Sequence, residues 1–376
     1  MSFRTVLPRG WRGLGRDLCA GVAILGLAAC SSMPKQFTPE KTPPSILVPA
    51  ALAGVTDGRG RFREIFTAVK TARGAVLPDA RPDDGQDDLW RLAGEPAPTG
   101  RPVDLTPSGA SLRVVMVPGL LAECVTDKST MFEDSLANLE VQGYKTGYIQ
   151  TRGRQSCERN AAIVGAAVRH LPGQEKIILV THSKGTVDTL EALVASPELT
   201  ERVVAVVSVA GAVNGSPIAD VFPESLAAML EKISLANCPK GEGVEAMDSL
   251  RRTRRLAWLA GHALPPNVRF YSLAAFARPQ NISTALKPFF RILSQTEPLN
   301  DGLVVASDAI VPGSTLLGYP NADHLAVAMP FGKKSPILTA TLITRNHYPR
   351  AALLEAAVRY VEEDLRGRGL LRDDGK

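Results

Sequence analysis

At 376 residues the chain has room for one large domain or two modest ones, and its 45% hydrophobic and 22% charged residues are those of a soluble globular protein. The formal net charge is +5, of which Arg4, Arg9, Arg12 and Arg16 against Asp17 supply +3, leaving +2 for everything after residue 29. A balance that small leaves no electrostatic footprint for nucleic acid and counts against that class of partner.

Behind those arginines runs an apolar stretch, Leu18 to Ala29, too short to span a bilayer but of the length of a signal-peptide core. It ends Leu27-Ala28-Ala29-Cys30, which resembles the lipobox of bacterial lipoproteins. The resemblance implies cleavage before Cys30 and acylation of Cys30. With Ser31 rather than aspartate next, it implies an anchor in the outer membrane of a Gram-negative cell, facing the periplasm. Several acyl chains on one residue hold a protein at a bilayer where a single chain is marginal. A plain secretory signal over residues 1–29 is the alternative. Residues 30–110 are expected to form a tether and a small helical addition to the domain that begins at residue 111, with a partner-binding arm as the other reading. Prolines 34, 39, 43, 44 and 49 interrupt their first half. Phe62, Ile65, Phe66 and Val69 place one amphipathic helix over Arg61–Lys70, and a short second helix is expected over Asp87–Leu92.

From residue 111 the pattern becomes strand, helix, strand, helix. Leu112–Val117 reads as a buried strand ending at Pro118-Gly119-Leu120. Thr130–Leu139 reads as helix, Tyr144–Thr151 as strand and Asn160–Leu171 as amphipathic helix. The run Ile177-Ile178-Leu179-Val180 then stops at Thr181-His182-Ser183-Lys184-Gly185. Helical spacing resumes at once through Val187, Leu190, Leu193 and Val194. Further strands are expected at Val203–Val209 and Val268–Leu273, and an amphipathic closing helix at Arg350–Leu365. This rhythm argues for a mostly parallel sheet covered by helices on both faces.

Strand, sharp turn and helix around Ser183 resemble the nucleophile elbow of the α/β-hydrolase family, G-x-S-x-G, with Thr181 in place of the first glycine. Three further stretches resemble that family in the order it requires. Gly215-Ser216-Pro217-Ile218-Ala219-Asp220 is similar to the G-S-x-x-A-D region of bacterial lipases. Asn300-Asp301-Gly302-Leu303-Val304 is similar to the loop that carries the acid, and Asp323-His324-Leu325-Ala326-Val327 to the loop that carries the base. The resemblance covers about residues 111–366, followed by a tail over 367–376. It implies an α/β-hydrolase fold with a helical cap inserted at about 212–266 and the catalytic set Ser183, Asp301 and His324. Oxyanion donors would be the main-chain N–H groups of Leu120 and Lys184. Asp308 and His347 are the reserves for acid and base.

The chemistry needs these residue types. A serine hydroxyl is a weak nucleophile until an imidazole takes its proton, and a carboxylate must hold that imidazole in one tautomer. The expected activity is serine-dependent acyl-ester hydrolysis, esterase-like or lipase-like, on an ester or lipid substrate. An acyltransferase, thioesterase or depolymerase using the same triad, or a non-catalytic lipoprotein on a hydrolase scaffold, are the alternatives. No phosphate-binding glycine loop and no zinc-like Cys/His spacing is present, so neither cofactor nor metal is expected. The run Arg251, Arg252, Arg254, Arg255 reads as a solvated helix face, with anionic head groups as the other reading. Cys124, Cys157 and Cys238 allow three single pairings in an oxidising compartment, and Cys124–Cys157 is the one expected.

Overall fold

The computed structural model describes residues 54–79, 87–120, 130–221, 243–331, 336–345 and 347–371. In chain order the strands are β1 (Thr56–Asp57), β2 (Leu89–Trp90), β3 (Leu112–Val117), β4 (Lys145–Tyr148), β5 (Lys176–His182), β6 (Val203–Val209), β7 (Arg269–Leu273) and β8 (Thr315–Pro320). Before β3 comes α1 (Arg59–Arg73). Between β3 and β6 come α2 (Leu136–Val141), α3 (Cys157–His170) and α4 (Lys184–Ala195). Between β6 and β7 come α5 (Pro217–Val221), α6 (Gly243–Ser249) and α7 (Arg252–Gly261). Then come α8 (Lys287–Leu293), α9 (Pro336–Thr341) and α10 (Arg350–Gly367).

Alternation inside the strands decides the architecture. Val114, Met116, Ile178, Val180, Ala205 and Val207 point to one face, packing with Phe62, Ile65, Phe66 and Val69 of α1 and with Leu353, Val358 and Val361 of α10. Val115, Val117, Ile177, Leu179 and Val206 point to the other, against Val164 and Val168 of α3 and Leu190 and Leu193 of α4. Both faces are apolar because both are covered. The strand order is β1-β8-β7-β6-β5-β3-β4, parallel throughout, with β2 antiparallel on β8. This is the expected α/β-hydrolase type of sheet, and β5 lies inside it, between β6 and β3.

Three local expectations are corrected. Residues 87–92 are not helical: Leu89–Trp90 adds to the end of β8, and the Trp90 ring stacks on Phe276 with its Nε1–H donating to the Phe276 carbonyl. Backbone pairing with a sheet edge outweighs a weak helical pattern there. The helix expected over Thr130–Leu139 shrinks to Leu136–Val141, because Phe132 takes a positive φ of 51° and gives its N–H to Ala328. Cys157 is a free, buried thiol whose raised pKa comes first from burial; it faces Asp188 and Lys184 inside the fold, so the pairing with Cys124 is not made. Cys30, Cys124 and Cys238 lie outside the described residues.

Of the insertion between β6 and β7, the helix α7 packs on the layer formed by α3 and α4. Trp258 and Leu259 pack with the α3/α4 layer, and the Arg255 guanidinium is buried against Glu191 of α4 at 2.5 Å. All four arginines of the basic run face carboxylates: Arg251 and Arg254 face Asp248, Arg252 faces Asp308 and Arg255 faces Glu191. Residues 222–242 of the insertion, where Leu226, Met229, Leu230 and Ile233 recur at helical spacing, lie outside the described residues. On the opposite face, α10 fastens the segment before β3. Glu355, fully buried, accepts from Arg73, Arg359 and Asn138. Arg359 donates on to the carbonyls of Asp104, Leu105 and Thr106.

Candidate active site

Ser183 stands at the C-terminal end of β5, immediately before α4, with φ 55° and ψ −126°. An L-residue is held in that region only where its surroundings enforce it, and such strain concentrates at functional sites. Here the enforcement is visible. Ser183 N–H donates to Val209, and its carbonyl accepts from Thr186 and Ala212. Gly119 presses on the turn so closely that a Cβ there would lie 2.7 Å from the Ser183 Cβ. Gly185 is similarly closed in by the carbonyls of Val117 and Pro118. Both glycines are therefore required by close approach.

Thr181, the departure from the glycine pattern, is accommodated by hydrogen bonding. Its hydroxyl meets Thr186 Oγ1 at 2.8 Å and donates to the Val207 carbonyl at 3.3 Å, while Thr186 reaches Ser208 Oγ at 3.2 Å. A row of hydroxyls fills the space beneath the elbow, so the extra bulk is matched by partners.

The Asn300-Asp301-Gly302 turn aims a carboxylate. Asp301 Oδ1 accepts from the N–H groups of Leu303 and Val304 at 2.9 and 2.7 Å. Asn300, wholly buried, accepts from Gly302 N–H and donates to Glu297 and Ser294. Gly302 has φ 98° and lies under Leu286, where a side chain would meet a crowded wall. The remaining oxygen, Asp301 Oδ2, is 2.6 Å from His324 Nδ1. A carboxylate only accepts, so Nδ1 carries the proton and His324 Nε2 accepts from Ser183 Oγ–H at 2.8 Å. The three side chains come from positions separated by as many as 141 residues, and all are buried, with Ser183 at 7% exposure.

The reserves are elsewhere. Asp308 is bound to Arg252 and Asn214, and its carboxyl is raised by burial. Asp323 is fully buried, raised by burial, and accepts from Ser283, Leu325 and Ala326, which shapes the loop behind the imidazole. His347 is exposed. Lys184 heads α4, where its N–H has no intrahelical partner, and that nitrogen would lie 3.3 Å from a Cβ on Gly119. Leu120, half-buried, directly follows Gly119.

Sequence reasoning missed several residues around this centre. The Lys184 ammonium is buried on Asp188 at 2.7 Å, and Asn160 donates to the same carboxylate. Four-residue spacing along a helix was the available signal for the first pair. Ser216 donates to the Leu303 carbonyl at 2.5 Å, so the Gly215–Asp220 stretch ties the insertion to the acid turn. His182 donates from Nε2 to the His324 carbonyl at 2.9 Å, a contact across 142 residues with no local signature.

No protein-family model and no curated protein sequence matches the chain. Among solved structures, that of a metagenomic carboxyl esterase is similar at 56% sequence identity and a TM-score of 0.81, over 91% of this chain and 99% of that one. The mature form of Bacillus licheniformis lipase BlEst2 is 26% identical over 64% of this chain and 93% of its own, with a TM-score of 0.48.

Proposed function

The chain belongs to the α/β-hydrolase carboxyl esterases, and on that premise we propose that it is a serine-dependent acyl-ester hydrolase working through an acyl-enzyme. The observation that carries the reading is the unbroken hydrogen-bond chain from Asp301 Oδ2 through His324 to Ser183 Oγ. His324 Nε2 takes the hydroxyl proton as Ser183 Oγ bonds to the ester carbonyl carbon, and the imidazolium is stabilised by Asp301. Negative charge then gathers on the carbonyl oxygen. The N–H groups of Leu120 and Lys184 receive it, Lys184 with the positive end of α4 behind it. Loss of one such donor typically costs about 10²–10³-fold in rate. The imidazolium gives its proton to the departing alcohol. Water, activated by the same imidazole, then breaks the acyl–serine bond and returns the enzyme.

The test is Ser183→Ala on short p-nitrophenyl esters, paired with fluorophosphonate labelling of the wild type. Turnover falls by several orders of magnitude in the variant with its melting temperature retained, and the label maps to Ser183. Undiminished turnover in pure Ser183→Ala would end the assignment.

The same proposal includes the address of the enzyme. Cys30 carries lipid and holds the domain at the outer membrane on its periplasmic side, which brings the site to lipid or ester substrates near a bilayer. Feeding a clickable fatty acid labels the wild type and not Cys30→Ala; label retained in the variant removes the anchor.

A further inference from the structure

The imidazole of His324 is useful only if it is held, and its main chain is held twice. His324 N–H donates to the carbonyl of Asp301 at 2.9 Å. His324 C=O accepts from His182 Nε2–H at 2.9 Å. A carbonyl can only accept, so Nε2 of His182 carries a proton, and burial keeps the ring neutral, with Nδ1 bare. The two clamps therefore come from the acid itself and from the residue next to the nucleophile. The loop of the base is tied to both of its partners through backbone as well as side chain. The rings of His182 and His324 also lie against each other, with centroids 4.8 Å apart and planes inclined by 41°. His182 is 4% exposed and so offers substrate almost no surface.

We propose that His182 is a positioning residue: its Nε2–H fixes the main chain of His324, and its ring forms the wall that keeps the His324 imidazole between Asp301 and Ser183. This rests on the reading of Ser183 and His324 as nucleophile and base. His182 lies at the end of β5, one residue before Ser183, so the rigidity of the central strand passes directly to a loop that follows β8. Burial pushes His182 down to about 3, with the neighbouring His324 adding to the effect, so the wall carries no charge when His324 becomes an imidazolium. Misplacing a catalytic group by about 1 Å costs on the order of 10²-fold in rate, and binding of substrate need not suffer with it.

The experiment compares His182→Phe, which keeps a flat ring and loses the donor, with His182→Gln, whose amide N–H reaches about as far as Nε2. Phe lowers kcat on p-nitrophenyl esters by about 30–100-fold with KM within about twofold, and fluorophosphonate labelling of Ser183 slows in parallel. Gln recovers most of both rates. Should the phenylalanine form fail to fold, His182→Asn, whose amide is too short to reach the His324 carbonyl, takes its place beside Gln with the same expectation. Equal rates in the donor-lacking variant and the wild type overturn the proposal, as does a loss confined to KM or one that Gln shares in full. Ser183→Ala run alongside separates the two claims. If it stays active, the reading of the nucleophile fails; if it is inactive while the donor-lacking variant matches the wild type, only the role of His182 falls.

Discussion

Two buried polar assemblies lie in this molecule, one along α10 and one at the end of β5, and they are built differently. Along α10, Glu355 gathers Arg73, Arg359 and Asn138, and Arg359 goes on to three carbonyls and Gln142. There, charge meets opposite charge and each group of the chain is closed by protein. At the end of β5 the chain runs from carboxylate to imidazole to hydroxyl and stops at Ser183, an oxygen with further capacity to bond. The first arrangement is closed and fastens a segment. The second is open at one end, where the proposed reaction brings in the ester carbon. Density of buried titratable groups does not distinguish a structural cluster from a catalytic one; whether the hydrogen-bond chain terminates on a nucleophile does.

The comparison breaks first under a change of the acid. Asp301→Asn lets the imidazole take the wrong tautomer, and kcat falls about 10⁴-fold with little loss of stability. Asp308→Asn, at the reserve acid bound to Arg252, leaves kcat within about twofold. Steady-state kinetics on the two pure variants decide it, and equal losses would show that the acid has been misassigned.

The closed assembly answers in the other currency. Glu355→Ala leaves two guanidinium groups without their buried carboxylate and lowers the free energy of unfolding by about 3–5 kcal/mol, while turnover per folded molecule is unchanged. Denaturation followed beside burst titration separates the two quantities. A fall in turnover per titrated site would mean that the α10 cluster is coupled to the chemistry.

His182 sharpens the contrast with pH. Burial, and then the neighbouring His324, depresses its pKa to about 3, while the unfolded chain binds that proton near the ordinary value of about 6.5. Its contribution is thus fully present above about pH 6.5 and is lost as pH falls toward 3. Within that window the loss is up to about 1.4 kcal/mol per pH unit. Denaturant unfolding at pH 7 and pH 5 shows a larger drop for the wild type than for His182→Gln; parallel drops contradict the depressed value. The smallest effect is at the elbow floor. Thr181→Val removes a hydroxyl from the row shared with Thr186 and Ser208 and costs about 1 kcal/mol, with kcat little altered.

Legibility tracks the range of the forces concerned. The strands β3, β5, β6 and β7 were legible because a strand covered on both faces is a mostly apolar run, and α1, α3 and α10 because one stripe of each must face the sheet. The Asp301 turn was legible through its resemblance to a family loop, and the structure shows the local requirements behind that pattern: an Asx-type turn and a glycine at positive φ. The β2 strand was not, since Leu89 and Trp90 pair with the edge of β8 only once that edge exists. The lock of Arg255 on Glu191 was hidden for the same reason; it buries that one arginine of the basic run, while Arg251, Arg252 and Arg254 keep much of their side chains exposed.

Sequence alone determined the layered sheet and the strand–turn–helix at Ser183, because periodicity and tight turns are written within a few residues, while Asp301 and His324 were picked out by the resemblance of their loops to those of a known family. Tertiary structure decided that Thr181 is housed by other hydroxyls, that Cys157 stays a free thiol, that α7 of the insertion packs on the α3/α4 layer, and that His182 hydrogen-bonds the main chain of His324. Each of these depends on a partner distant along the chain or on the packed layer around it, and the hydrogen bond or ion pair that selects it does not exist until the chain has closed.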